Sequence, residues 1–233
     1  ADGRSGARAR MKYRLVIFDW DGTLLDSTGQ IVDAMRRGAA DLRWHLPEPE
    51  AVRSIIGLGL PEAIRTLFPG SSDDEVRALR EAYARHFTDP ANDTSDFFNG
   101  GRELLSELHG AGFLLGLATG KARPGLERVW RTHAVGHYFH ASRCADETHS
   151  KPHPAMVEEL LAELSVDAGR TLLVGDTSFD LDMARSAGVD AVGVRFGAHP
   201  PERLAACEPL ALIDELHELR PLLGLPINTE TAL

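Results

Sequence analysis

Two carboxylates one residue apart, Asp19 and Asp21, close the apolar run Leu15, Val16, Ile17 and Phe18. Acids so close repel each other and sit poorly beside an apolar core unless a proton or a cation neutralises them. A divalent metal is the simplest remedy. The run is short and rich in β-branched residues, and Gly22 and Thr23 turn the chain immediately after it, so the pair reads as the tip of a buried strand.

Three further polar groups stand at or near the ends of expected strands. Thr119, Gly120 and Lys121 follow an apolar run and offer a hydroxyl and a backbone amide at the entry to a helix, which suits a bound anion; the same hydroxyl could cap that helix. Lys151 sits in the loop 149–154, stiffened by Pro152 and Pro154. Asp176 and Asp180 follow the run 171–174, whereas Asp182 reads as a solvated helix acid. His149 and His153, which flank Lys151, read as loop or capping residues.

Together these groups describe phosphoryl transfer. One of the paired Asp would attack phosphorus, and the other would protonate the leaving oxygen and then activate water. The hydroxyl and the ammonium would hold phosphate oxygens. The remaining acids would hold a hard cation, for which Mg2+ is the natural choice.

The elements that must position them follow from periodicity. Segments 31–42, 50–56, 61–68 and 73–87 carry helical spacing, with Asp73 and Asp74 expected to cap the last and Pro61 in a first turn. None reads as a strand. From residue 99 onward helix and strand alternate, with strands at 113–118, near 139–142, at 171–174 and in 190–197, and a last strand and helix within 210–222. Apolar strands alternating with amphipathic helices specify a doubly wound α/β fold, a parallel sheet covered on both faces. The expected organisation is a core of residues 11–27 and 96–233 with an all-helical cap at 28–95, after a disordered extension at 1–10.

Composition excludes several classes. A net charge of -10 over 233 residues, with no Lys/Arg cluster, argues against nucleic acid or an anionic membrane as the main partner. The two cysteines, Cys144 and Cys207, have no metal-type spacing and suit a reducing compartment. With no long apolar run and no signal-like amino end, the expectation is a cytoplasmic protein. The sequence leaves its oligomeric state open.

The motifs DWDGT at 19–23, ATGK with Thr119, SKPHP with Lys151 and GDTSFD with Asp176 and Asp180 closely resemble, in order and spacing, the haloacid dehalogenase superfamily of phosphohydrolases with a helical cap. The resemblance implies that Asp19 is the nucleophile and Asp21 the general acid/base. It also implies magnesium held by Asp19, the backbone carbonyl of Asp21 and Asp176, with Asp180 a further or water-mediated ligand. Gly22, Thr23 and Gly120 would lie at the substrate. Asp21 and the Asp176/Asp180 pair favour phosphatases over the metal-free dehalogenases.

The length, the cap and the run from Gly57 through Gly59 to Pro61 look like the phosphoglycolate phosphatase group, with a small phosphorylated metabolite as substrate. Gly57 and Gly59 would be cap-loop contacts or simple helix breakers. Gly120 stands where that group commonly has Asn, and Trp20 is bulky between the acids, where only backbone need contribute. A phosphosugar mutase is the second enzymatic reading, and pyrophosphate and nucleotides stay open as substrates. A binding protein without turnover is disfavoured because every acid and the lysine are retained.

Overall fold

A computed structural model of the chain describes residues 12–89 and 95–226; the expectation for residues 1–10 lies outside them. Six parallel strands, β1 (Leu15–Phe18), β2 (Leu114–Thr119), β3 (Ala141–Cys144), β4 (Thr171–Gly175), β5 (Asp190–Val194) and β6 (Ala211–Ile213), form one sheet in the order β3-β2-β1-β4-β5-β6. Alternate residues of β1 serve opposite faces. Val16 and Phe18 join an apolar cluster with Leu104, Leu108 and Leu126, while Leu15 and Ile17 join another with Met156, Leu160 and Leu181. Both faces are therefore covered, as a continuous apolar strand requires.

The chain order reverses at β1, which has β2 on one side and β4 on the other. Loops leaving adjacent strands in opposite directions open a crevice at their carboxyl ends, where such sheets bind ligands.

Among the described residues, four helices lie between β1 and residue 95: α1 (Thr28–Asp41), α2 (Pro49–Arg53), α3 (Leu60–Leu67) and α4 (Asp73–Phe87). They share an apolar cluster of their own, including Val32, Met35, Ile64, Phe68 and Leu79. Gly38 lets α1 and α4 approach closely, since a Cβ there would lie 3.0 Å from the Tyr83 backbone nitrogen. The remaining helices, α5 (Gly101–Ala111), α6 (Arg123–His133), α7 (Ala155–Leu164), α8 (Ser178–Ser186), α9 (Pro201–Ala205) and α10 (Leu219–Leu222), cover the sheet.

Several local expectations need correction. The cap of α4 is Ser72, whose hydroxyl accepts the Glu75 N–H while Glu75 bonds back to the Ser72 N–H; Asp73 and Asp74 lie inside the first turn. A capping box outcompetes a lone Asp because it satisfies two orphan donors at once. Strand β3 begins two residues later than the apolar pattern suggested, at Ala141, where pairing with Gly116 starts. The aromatic Phe139 before it instead stacks on Trp130. Helix α9 was not anticipated, although Pro201 at its start and Glu202 in its first turn are ordinary helix-start signals.

Candidate active site

Asp19 is the first residue beyond β1, and its N–H still donates to the Val174 carbonyl at 2.9 Å. One more residue of β4 and the next position bring Asp176 beside it. Asp176 is then clasped by two close-approaching loops. A Cβ on Gly22, whose φ is +82°, would fall 2.1 Å from an Asp176 carboxylate oxygen, and one on Gly197 would fall 2.1 Å from the Asp176 Cβ. The carboxylate accepts the Thr23 hydroxyl at 2.9 Å and the Ala198 N–H at 2.7 Å. Gly22 and Thr23, expected at the substrate, are thus seated against Asp176.

Lys151 reaches this pair from its loop. Its buried ammonium donates to Asp19 Oδ1 at 2.7 Å and to Asp180 Oδ1 at 2.6 Å. The other oxygen of Asp180 accepts the Thr177 hydroxyl at 2.6 Å and the Thr177 N–H at 3.1 Å, which caps α8. Asp180 is consequently bound on both oxygens, whereas Asp19 Oδ2 is buried and has no partner.

Asp19, Asp176 and Asp180 each offer a carboxylate oxygen within 4.8 Å of the others. Three acids and one ammonium leave an excess of negative charge among side chains that are almost wholly buried. Burial, reinforced by Asp180 and Asp176 and opposed by Lys151, pushes the Asp19 carboxyl well above the usual range. Burial and the Asp180 charge raise Asp176 to about 7. Burial penalises the Lys151 cation, but Asp180 and Asp19 more than offset that and hold it protonated. An all-oxygen donor set with surplus charge and one unpartnered oxygen suits a hard divalent cation.

Asp21 stands outside that cluster, as a residue expected to offer a metal only its backbone carbonyl would. Its carboxylate accepts the Ser27 hydroxyl at 2.6 Å and lies 3.0 Å from the Lys121 ammonium. Lys121 was not singled out as a site residue in the sequence; its only signal was its place two residues beyond a strand-tip hydroxyl. Trp20, between the acids, turns inward, buried edge-on against Phe97 and Phe139. Thr119 is buried at the tip of β2, and its hydroxyl accepts the Lys121 N–H at 3.2 Å. It does not cap α6, whose N-cap is Ala122.

The helical insert closes down on these strand tips through the segment 57–59. Gly59 N–H donates to Ser150 Oγ at 2.7 Å, beside Lys151. Gly57 has a φ of +101°, and a Cβ there would lie 3.0 Å from the Thr177 hydroxyl. A Cβ on Gly120 would lie 2.6 Å from the Leu58 carbonyl oxygen, so glycine there lets two backbones meet. Farther out, His199 Nδ1 accepts the Ser178 N–H at 3.0 Å and Nε2 lies 3.1 Å from the Ser54 carbonyl, a pairing that fixes the Nε2–H tautomer. Burial and the neighbouring Arg203 lower its pKa to about 4. His153, as expected of a capping residue, accepts the Ala155 N–H at the start of α7. Asp182, paired with Arg185, takes no part in the cluster.

A cavity of about 750 Å³ lies between insert and sheet, with Asp19 and Asp21 on its floor. A parallel α/β core thus carries buried aspartates and a lysine at a reversal of strand order, under an inserted helical layer, an arrangement in keeping with a hydrolase. The chain belongs to the haloacid dehalogenase-like hydrolases: the model of that family matches residues 16–194. It is 35% identical over 209 residues to the "Probable phosphatase IndB" of Dickeya dadantii, covering 88% of this chain and 91% of that protein. It is 30% identical over 214 residues to a phosphoglycolate phosphatase of Vibrio parahaemolyticus, covering 88% and 94%. Among solved structures, a haloacid dehalogenase-like hydrolase from Bacteroides fragilis superposes with a TM-score of 0.82 at 25% identity, over 89% of this chain and all of the other. No helix among the described residues is long and apolar enough to cross a membrane.

Proposed function

We propose that the protein is a magnesium-dependent phosphatase that hydrolyses a phosphorylated metabolite through an aspartyl-phosphate on Asp19. The observation that carries this reading is the Lys151 bridge between Asp19 and Asp180, beside Asp176 and beneath a cavity that also exposes Asp21. Asp19 attacks phosphorus, and the bond from phosphorus to the alcohol oxygen breaks. Asp21 gives its proton to that oxygen, then takes one from the water that attacks the phosphoenzyme and releases phosphate.

Lys151 holds Asp19 in line and offsets charge that would otherwise repel an anionic ester. Asp180 fixes Lys151, and Thr23 fixes Asp176. Mg2+, held by Asp19, Asp176 and the Asp21 carbonyl with Asp180 behind, would supply further charge neutralisation between carboxylate and phosphate. Residues 28–95 act as the cap, and the 57–59 segment seals the site from bulk water. Phosphoglycolate, named for several relatives, is the reference substrate.

Replacing Asp19 with Asn tests the assignment. Phosphate release should fall by at least about 10⁴-fold, because the attacking carboxylate is gone, while the melting temperature stays within a few degrees. Retained turnover in the folded variant would refute the nucleophile.

A further inference from the structure

The chamber above Asp19 and Asp21 is larger than the chemistry beneath it needs. At about 750 Å³ it falls among pockets of roughly 300–1,000 Å³ that enclose drug-sized molecules. A phosphate and a two-carbon acid would leave most of it empty. Nor is it a gap left by a lifted insert: Gly59 is already bonded to Ser150, the Leu58 carbonyl abuts Gly120, and His199 is bonded to the Ser54 carbonyl.

Its lining decides what can fill it. The walls carry Ile31, Met35 and Ile56 together with two rings, Tyr83 and Phe87, stacked with centroids 5.4 Å apart and planes 15° apart. The Lys121 ammonium that pairs with Asp21 also sits 4.6 Å from the Phe87 centroid, so the aromatic wall runs up to that carboxylate. Charged side chains, Glu62, Arg77, Arg80, Glu81, Arg128 and Asp146, also reach the lining, yet most of it is apolar, and a polyol laid on that part would bury hydroxyls without partners. Phe87 is buried, with Tyr83 stacked on it and the Lys121 and Arg128 cations over its ring, so a flat ring would pack against the half-buried Tyr83.

We infer that the substrate is a phosphate monoester of a bulky, ring-bearing alcohol, its ring held against Tyr83 while its phosphate lies over Asp19. This rests on the phosphatase reading of the same site and names the class of alcohol.

The test compares 2-(1-naphthyl)ethyl phosphate with phosphoglycolate in the presence of Mg2+. Both are primary alkyl esters, so leaving-group chemistry is matched and the alcohols differ in size and polarity. The naphthyl ester should be favoured in kcat/KM by at least about 100-fold through apolar burial. Gly125 lines the chamber, and a Cβ there meets nothing within 4 Å, so Gly125→Phe fills the space from an open position. It should cut the preference at least tenfold by raising KM for the naphthyl ester, with the melting temperature as the check on folding; Ala84→Phe, on the same wall, serves if that variant fails to fold. Equal or better use of phosphoglycolate, or a preference untouched in the folded filled variant, overturns the inference and leaves the phosphatase reading standing. No phosphate released from either ester, nor from p-nitrophenyl phosphate, overturns both.

Discussion

The floor and the roof of the site are built on opposite principles. On the floor, at the tips of β1 and β4, Asp19, Asp176, Asp180 and Lys151 are bound to one another or to Thr23, Thr177 and Ala198 at 2.6–3.1 Å. On the roof, Ile31 and Met35 of α1 and Tyr83 and Phe87 of α4 border a chamber in which shape counts for more than directed bonds, although Arg77, Arg80 and Glu81 of α4 also reach it. Charges buried out of water tolerate no slack, because an unpaired one costs several kcal/mol. Apolar walls accept changes of shape at about 1–3 kcal/mol. In the proposed phosphatase, the floor is the part that fixes the reaction and the roof the part that can be reshaped for a substrate.

The largest effect expected from breaking this contrast comes from Lys151→Met. It leaves Asp19 and Asp180 facing each other without their shared cation, which should cost about 3–5 kcal/mol in urea unfolding and eliminate turnover. Mg2+ should restore part of the stability and none of the activity. A loss below about 1 kcal/mol would mean that the floor is not one electrostatic unit.

Gly120→Ala probes the seam between floor and roof. Its Cβ would push the Leu58 carbonyl away, lifting the 57–59 segment. The expected outcome is a stability loss of about 1–3 kcal/mol and a fall in kcat/KM of about tenfold, carried mostly by KM. An unchanged KM would detach that segment from substrate binding.

The smallest effect concerns His199, which joins the roof to the floor. Its pKa is lowered from 6.5 to about 4, so the unfolded chain binds a proton that the folded protein refuses. Its contribution is full above about pH 6.5 and is lost as pH falls toward 4. The melting temperature should drop by a few degrees more between pH 7 and 5 in the wild type than in His199→Gln. Parallel curves would remove His199 from the pH response.

Much of the fold could be read from local pattern. The four apolar residues of β1 and the alternation after residue 99 implied a parallel sheet, and the observed pairing agrees. Where reading failed, a nonlocal or finer contact had decided. Phe139 has the composition of a strand residue but stacks on Trp130, and Ser72 caps α4 because Glu75 can answer it. Around the site, Asp19, Lys151, Asp176 and Asp180 stood out by type and spacing. Lys121, Ser27, Ser150 and His199 did not, because their partners lie 6 to 145 residues away along the chain.

Sequence alone determined the doubly wound core and the acids and lysine carried at its strand tips, since strand period, helix period and residue chemistry are local properties. Tertiary structure decided which oxygen each donor meets, why glycine stands at positions 22, 57, 59 and 120, and how much room remains above Asp19. Those depend on how closely separate backbones approach, and that distance is set by the packing of whole elements.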